Sequence, residues 1–119
     1  LYLTGITGAP PRAEISKTAL GAEASVPWEH HRQTVRLLRQ LHRQGVQIVA
    51  LEQTRRSVPL PEYRPRFPLA LVVGNEVAGV SPAVRRLADA TVAIPMHGMK
   101  ESLNVAVAAG VALYALRCT

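Results

Sequence analysis

"LALVVGNEVAGVSP", residues Leu69 to Pro82, is the stretch that decides the fold. Its apolar start predicts a buried strand, and Gly74 and Gly79 then bracket a turn. Ser81 and Pro82 are residues typical of the first positions of a helix. A continuously apolar strand that runs through a turn into a helix is characteristic of α/β proteins with a parallel sheet.

The glycines of this turn have the G-x-x-x-x-G spacing of a phosphate-binding P-loop, and Ser81 follows at the place of its Ser or Thr. A P-loop also carries a lysine before its Ser or Thr, and Val80 stands there instead. Glu76 adds a negative charge that would repel phosphate. We therefore expect Gly74 to let a different ligand, a nucleoside or a cation, approach the backbone, with Asn75 and Glu76 as polar groups. A plain strand-to-helix turn is the alternative.

Strands and helices alternate through the rest of the chain. We predict strands at Leu1–Leu3, Val46–Leu51, Leu69–Val73 and Thr91–Pro95, helices at Pro27–Gln44, Pro82–Ala88 and Glu101–Arg117, and a loop at Thr54–Pro68. Ligands of parallel sheets bind at loops that leave the carboxyl ends of strands. Here those loops follow Leu51, Val73 and Ile94. The last helix is apolar on nearly all sides, which indicates burial, in part against a second subunit.

Composition narrows the class of protein. The chain has 119 residues, 48% of them hydrophobic and 18% charged, which suits a single folded domain over residues 1–119. The net charge is +6. Most of the basic residues are arginine, whose planar guanidinium group suits phosphate oxygens. We therefore interpret the positive charge as a sign of a nucleic-acid partner, and the alternative is a basic surface that only contacts solvent.

A single cysteine, Cys118, excludes a disulfide framework within the chain. We expect a cytoplasmic protein that binds no metal. The longest apolar stretch, Val105–Leu116, is about half of the ~20 residues needed to span a membrane.

A second polar group precedes the last helix, in "IPMHGMKESLNVAVAAG", Ile94 to Gly110. Ser102 could be a plain N-cap. Asn104 lies at the start of an otherwise apolar helix, where a polar amide needs a partner.

Together, "VVGNEVAGVSP" and "IPMHGMKESLNVAVAAGVALY" resemble motifs 2 and 3 of the SpoU/TrmH-type RNA ribose 2'-O-methyltransferases of the SPOUT superfamily. The resemblance covers essentially the whole chain. It implies an α/β fold in which a parallel sheet is flanked by helices and the C-terminal part forms a deep trefoil knot. It also implies a homodimer with its active site near the subunit interface, and transfer of a methyl group from S-adenosylmethionine to a ribose 2'-hydroxyl of RNA, with tRNA expected ahead of rRNA.

The resemblance also implies site residues. Those expected to line the S-adenosylmethionine cleft, largely through backbone groups, are Leu51, Gly74, Ile94, Met96, Ser102 and Leu103. Those expected on the catalytic side are Glu76, Ser102 and Asn104. His97 lies in the same loop and could approach the substrate.

The family's motif 1, an Asn-x-Gly…Arg-Thr pattern that supplies a key arginine, has no counterpart in this sequence. We expect the N-terminal strand and motif 1 helix to precede Leu1 in the intact protein. The alternative is a non-catalytic RNA-binding or dimerisation module of the same fold, and an unrelated nucleotide-binding α/β domain is a third possibility. Arginines of the predicted loops, expected to contact RNA phosphate or solvent rather than to catalyse, are Arg12, Arg55, Arg56, Arg64 and Arg66.

Overall fold

The computed structural model describes residues 2–4, 29–74, 79–96 and 104–117, and its internal contacts divide the chain into two units, residues 1–37 and 38–119. In the first unit, strand β1 (Tyr2–Thr4) pairs in parallel with strand β2 (Glu29–His31). Helix α1 (Thr34–Arg43) begins there and continues into the second unit. The predicted helix start at Pro27 was therefore wrong, because residues 29–31 hydrogen-bond as a strand.

Helix α1 ends where the sequence predicted. The N–H of Val46 donates to the carbonyl of Leu41 over 3.1 Å, and the N–H of Gly45 donates to that of His42 over 3.0 Å. This pair of bonds is the Schellman arrangement, with Gly45 at a φ angle of 86°. The chain thus leaves the helix and enters the next strand at once.

The second unit contains a four-stranded parallel sheet. Its strands are β3 (Gln47–Leu51), β4 (Val58–Pro59), β5 (Leu69–Val73) and β6 (Ala90–Ala93), in the spatial order β4-β6-β3-β5. The three main strands lie within about a residue or two of their predicted bounds. The predicted parallel sheet is confirmed, and central β3 is its most buried strand, as a strand with neighbours on both edges should be.

The predicted loop between Thr54 and Pro68 is more ordered than expected. It contains β4 and a 3-10 helix, Leu60–Glu62, whose Leu60 is buried. The four prolines of this segment argued against a strand, because proline has no N–H to donate to a neighbouring strand in the centre of a sheet. Strand β4 can contain Pro59 because it lies at the edge of the sheet.

Two further helices complete this unit. Helix α2 (Pro82–Leu87) begins at Ser81, whose hydroxyl accepts a hydrogen bond from the N–H of Val84 over 3.3 Å. Helix α3 (Val105–Arg117) packs against the 3-10 helix and β5. Among the described helices, none is both long and apolar enough to cross a bilayer.

The core on the α3 side of the sheet joins strands, the 3-10 helix and α3. Its buried members are Val49, Leu60, Val92, Ala112 and Leu116. Strand side chains alternate between the two faces, so Ile48 and Ala50, both fully buried, point to the opposite face. Helix α2 contacts β3 and buries Val84. Burial on both faces explains why β3 is continuously apolar.

Helix α3 is apolar on most sides, as predicted, but only part of its apolar surface is buried within this chain. One face carries Ala112 and Leu116 into the core, while Val107, Val111, Leu113 and Tyr114 are exposed. Tyr114 keeps 74% of its surface and Leu113 57%. Apolar exposure on this scale along one helix marks an interaction surface.

At the amino ends of β3 and β6, Asp89 connects several elements. Its carboxylate accepts a hydrogen bond from the N–H of Ile48 over 2.7 Å, and its own N–H donates to the carbonyl of Ile48 over 2.8 Å. Its other carboxylate oxygen lies 3.3 Å from Nε2 of His42 at the end of α1. This network ties α1, β3 and β6 together at one end of the sheet.

Candidate active site

The carboxyl ends of three strands meet at one edge of the sheet. Leu51 is in register with Val73 of β5 on one side and with Val92 of β6 on the other. Gly74 and Ile94 directly follow those strands. The register therefore brings together the three loops that the sequence predicted as ligand-binding.

Leu51 and Ile94 are half-buried and pack against the core cluster of Val49 and Val92. Met96, also half-buried, follows two residues after Ile94 and lies beyond Ala93, the last residue of β6 in register with a neighbouring strand. Each of these apolar side chains keeps some accessible surface at the carboxyl edge. The remaining predicted site residues, Glu76, Ser102 and Leu103, with Asn75 and His97, lie outside the described residues.

The structure gives Gly74 a role in the chain that the sequence did not predict. A Cβ atom on Gly74 would collide with the backbone of Gly79 and with the nitrogen of Val80. Because Gly74 has no Cβ atom, the two ends of the turn can approach each other backbone to backbone. Gly74 therefore allows the turn to close, and its predicted place in the cofactor cleft stays a prediction.

Glu52, which the sequence analysis missed, holds the same turn from the neighbouring strand. A Cβ atom on Gly79 would collide with its Oε1. Its Oε2 is buried, accepts no hydrogen bond from any described residue, and lies 3.7 Å from a guanidinium nitrogen of Arg85. Only 19% of the Glu52 side chain is accessible. A carboxylate directly after a buried strand was the available signal.

The turn after β3 is fixed by hydroxyl groups. The Ser57 hydroxyl donates to the carbonyl of Glu52 over 2.6 Å and accepts from the N–H of Thr54 over 3.1 Å. The hydroxyls of Thr54 and Ser57 lie 2.8 Å apart, and the N–H of Glu52 donates to the carbonyl of Val92. These bonds fix the backbone of Glu52, through its carbonyl and its N–H, directly after the end of β3.

Asn104 is the N-cap of helix α3 rather than an interior residue. Its Oδ1 accepts a hydrogen bond from the N–H of Ala106 over 2.9 Å, and its carbonyl accepts from the N–H of Ala108 over 2.8 Å. The side chain is exposed. Since Oδ1 is engaged, the amide hydrogens on Nδ2 point away from the cap and can donate to another group.

Within residues 29–74, 79–96 and 104–117, no group of three or more His, Cys, Asp or Glu side chains is arranged to hold a metal ion. The described residues at the carboxyl edge offer backbone groups, half-buried apolar side chains and the carboxylate of Glu52.

Comparison with known proteins identifies the family. Residues 1–114 match the SpoU rRNA Methylase family. A tRNA (guanosine(18)-2'-O)-methyltransferase of Aquifex aeolicus is 46% identical over 80 residues, which is 67% of this chain and 38% of the relative. A 23S rRNA (guanosine-2'-O-)-methyltransferase, RlmB, of Ralstonia nicotianae is 39% identical over 102 residues, 84% of this chain and 40% of the relative.

The fold agrees with solved structures. The crystal structure of an AdoMet-bound rRNA methyltransferase from Sinorhizobium meliloti superposes with a TM-score of 0.89 at 31% identity, covering 98% of this chain and 44% of that one. The chain thus spans about 40% of the length of these relatives. With a family match that runs from the first strand into the last helix, this chain belongs to the SpoU rRNA methylase family.

Proposed function

We propose that the protein transfers a methyl group from S-adenosylmethionine to a ribose 2'-hydroxyl of RNA. The observation that carries the proposal is the meeting of Leu51, Gly74 and Ile94 at one sheet edge, in a chain of this family. The two relatives described above are named as 2'-O-methyltransferases of tRNA and rRNA, which supports the reaction type.

The residues at this edge suit the cofactor. An adenosine is flat and partly apolar, and the half-buried side chains of Leu51, Ile94 and Met96 offer apolar contact. Residues 94–96 continue beyond the paired part of β6, so their main-chain groups can bond the polar atoms of the base and ribose. Ser102 and Leu103 are assigned to the same cleft on the family resemblance.

Bound S-adenosylmethionine supplies an electrophilic methyl group on a sulfonium. In the transfer, a bond forms between the ribose 2'-oxygen and the methyl carbon, the carbon–sulfur bond breaks, and the hydroxyl proton leaves to a base. Because a ribose hydroxyl is a poor nucleophile at neutral pH, positioning and proton removal carry much of the catalysis.

This chain's own residues would position the nucleophile. Asn104 keeps its Nδ2 hydrogens free of the cap and can donate to a ribose oxygen. Glu76 and Ser102 are proposed for the catalytic side with it. Glu52, through Gly79, would hold the turn that carries Glu76.

We infer a homodimer from the exposed apolar face of α3. Val107, Val111 and Tyr114 follow one another at helical spacing, and a second copy of the chain would bury them. We also propose that the C-terminal part forms the deep trefoil knot of the family and that the protein works in the cytoplasm. For the substrate we favour tRNA, the substrate named for the Aquifex relative.

The deciding experiment is a methyl-transfer assay with the full-length protein on total RNA, using S-adenosylmethionine labelled on its methyl group. We expect label in RNA, resistant to alkali at the modified nucleotide. In parallel, millimolar S-adenosylmethionine should raise the melting temperature, because a ligand that binds the folded state alone stabilises it. RNA binding without methyl transfer or cofactor binding would instead support a non-catalytic RNA-binding module and overturn the proposal.

A further inference from the structure

A cleft rich in arginine lies between the turn after β3 and helix α2. Arg55 and Arg56 line it from the turn, and Arg85 and Arg86 line it from the helix. Its volume is about 760 Å³. We call this set of four arginines the basic cleft.

The positive charge of the basic cleft is mostly uncompensated. Arg55, Arg56 and Arg86 are exposed, and they form no ion pair with any described residue. Arg85 shares its charge with Glu52 at 3.7 Å. Asp89 also lines the cleft, but its carboxylate is already engaged by the N–H of Ile48 and by His42.

The cleft extends from Asp89, at the amino end of β6, toward the candidate active site. The ion pair of Arg85 joins it to Glu52, which directly follows Leu51. Thr91, which lines the cleft, precedes Val92, the residue in register with Leu51. A chain of phosphates bound in the cleft would therefore run close to the carboxyl edge of the sheet.

We propose that the basic cleft binds the phosphate backbone of the substrate RNA and so positions it for reaction, an inference that rests on the proposed function. Arginine forks bind phosphate oxygens by paired hydrogen bonds. Among the described residues that line the cleft there is no aromatic side chain on which a base could stack. The contact therefore positions the RNA without reading its sequence.

The test compares two triple variants of the full-length protein that lose the same charge. The first is Arg55→Ala, Arg56→Ala and Arg86→Ala, which leaves Arg85 with Glu52. The control replaces three exposed arginines of α1 by alanine, namely Arg36, Arg39 and Arg43. Fluorescence anisotropy gives the affinity for a transcribed tRNA and for an unstructured RNA, from about 50 to about 200 mM salt.

The cleft variant should bind both RNAs about tenfold or more weakly, and the slope of log affinity against log salt should shrink by about 2. The control should change both quantities much less. Unchanged S-adenosylmethionine binding and melting temperature would show that the cleft variant is folded. Equal losses in the two variants would mean that only net charge matters, and would overturn the inference.

Two other outcomes are distinguishable. If the cleft variant loses no RNA affinity while inorganic phosphate stabilises the wild type and not the variant, the cleft binds a small anion and the inference is wrong. If the wild type binds neither RNA nor S-adenosylmethionine, the proposed function itself fails and the inference fails with it.

Discussion

The carboxylate of Glu52 occupies the space that a side chain on residue 79 would need, with its Oε1 against Gly79. Gly79 has a φ angle of 70°, so its backbone conformation also disfavours any other residue. The side chain of the residue after β3 thus lies against the end of the turn that follows β5.

We expect Gly79→Ala to destabilise the protein through both effects, and the two can be separated. The backbone part should amount to about 1–2 kcal/mol in the free energy of unfolding. The contact part should disappear when Glu52 is also replaced by alanine. Urea unfolding of the four proteins of this cycle gives the coupling, expected at about 0.5–3 kcal/mol.

Gly45→Ala is the matched control for that cycle. Gly45 also has a positive φ angle, but a Cβ atom there would meet nothing within 4 Å. The free energy of unfolding that Gly45→Ala removes should be the same whether residue 52 is Glu or Ala. A Gly79→Ala penalty that is equally insensitive to Glu52 would contradict the contact.

Gly74→Ala should be more damaging, because the colliding atoms belong to the backbone of Gly79 and Val80 and no side chain can move aside. We expect a loss of about 1–3 kcal/mol or more, together with weaker S-adenosylmethionine binding, measured by thermal unfolding and calorimetry. Gly110→Ala in α3 meets nothing within 4 Å and should not destabilise. A Gly74→Ala protein with wild-type melting temperature would show that the turn can open at no cost.

Two substitutions separate the capping role of Asn104 from its proposed role as a hydrogen-bond donor to the substrate. Asn104→Asp keeps an oxygen to accept from the N–H of Ala106 but removes the amide donor. It should retain the wild-type melting temperature and lose methyl transfer at least tenfold, mostly in kcat. Asn104→Ala should lose about 1 kcal/mol of stability as well. Full activity of the Asp variant would limit Asn104 to capping the helix.

Val111→Glu places a charge in the exposed apolar face of α3 and should dissociate the proposed homodimer. Equilibrium sedimentation at micromolar protein should then give a monomer where the wild type gives a dimer. Gln40→Glu, at an exposed position of α1, adds the same charge and should leave the proposed dimer intact. A wild-type monomer at that concentration would refute the interface.

Tyr63 should make the free energy of unfolding depend on pH in the alkaline range. Burial raises the pKa of its hydroxyl, Asp89 raises that pKa further, and Arg66 lowers it in part. The unfolded chain therefore releases this proton first, near pH 10.0, so stability is full below that pH and falls as the pH rises through the folded pKa.

Tyr63→Phe should flatten that alkaline loss in unfolding experiments followed across the range. At neutral pH the change should stay within about 1 kcal/mol, because the buried hydroxyl has no hydrogen-bond partner among the described residues. An alkaline profile identical to that of the wild type would assign the loss to other groups.

Local chemistry made several parts of this fold predictable. Ser81 and Pro82 gave the start of α2, Gly45 gave the end of α1, and the apolar runs gave β3 and β5. Each of these signals acts over a few residues of chain. The edge of the sheet proposed for binding followed from the parallel arrangement itself.

Features that depend on distant parts of the chain were missed. Residues 29–31 form a strand because β1 lies beside them, not because of their own sequence. Glu52 acquires its role from Gly79, which is distant in sequence and adjacent in space. Gly74 was rightly singled out, but its neighbour is the protein's own backbone, which no local pattern reveals.

The Asp89 network has a practical consequence. It binds α1, β3 and β6 at the amino ends of the strands, whereas the described residues proposed to meet the cofactor lie at or beyond their carboxyl ends. The network that stabilises the sheet and the proposed cofactor cleft thus lie at opposite ends of the strands. A library that randomises Arg55, Arg56 and Arg86 while leaving Asp89 and Ile48 untouched should yield folded variants, and so offers a route to tuning the proposed affinity for RNA.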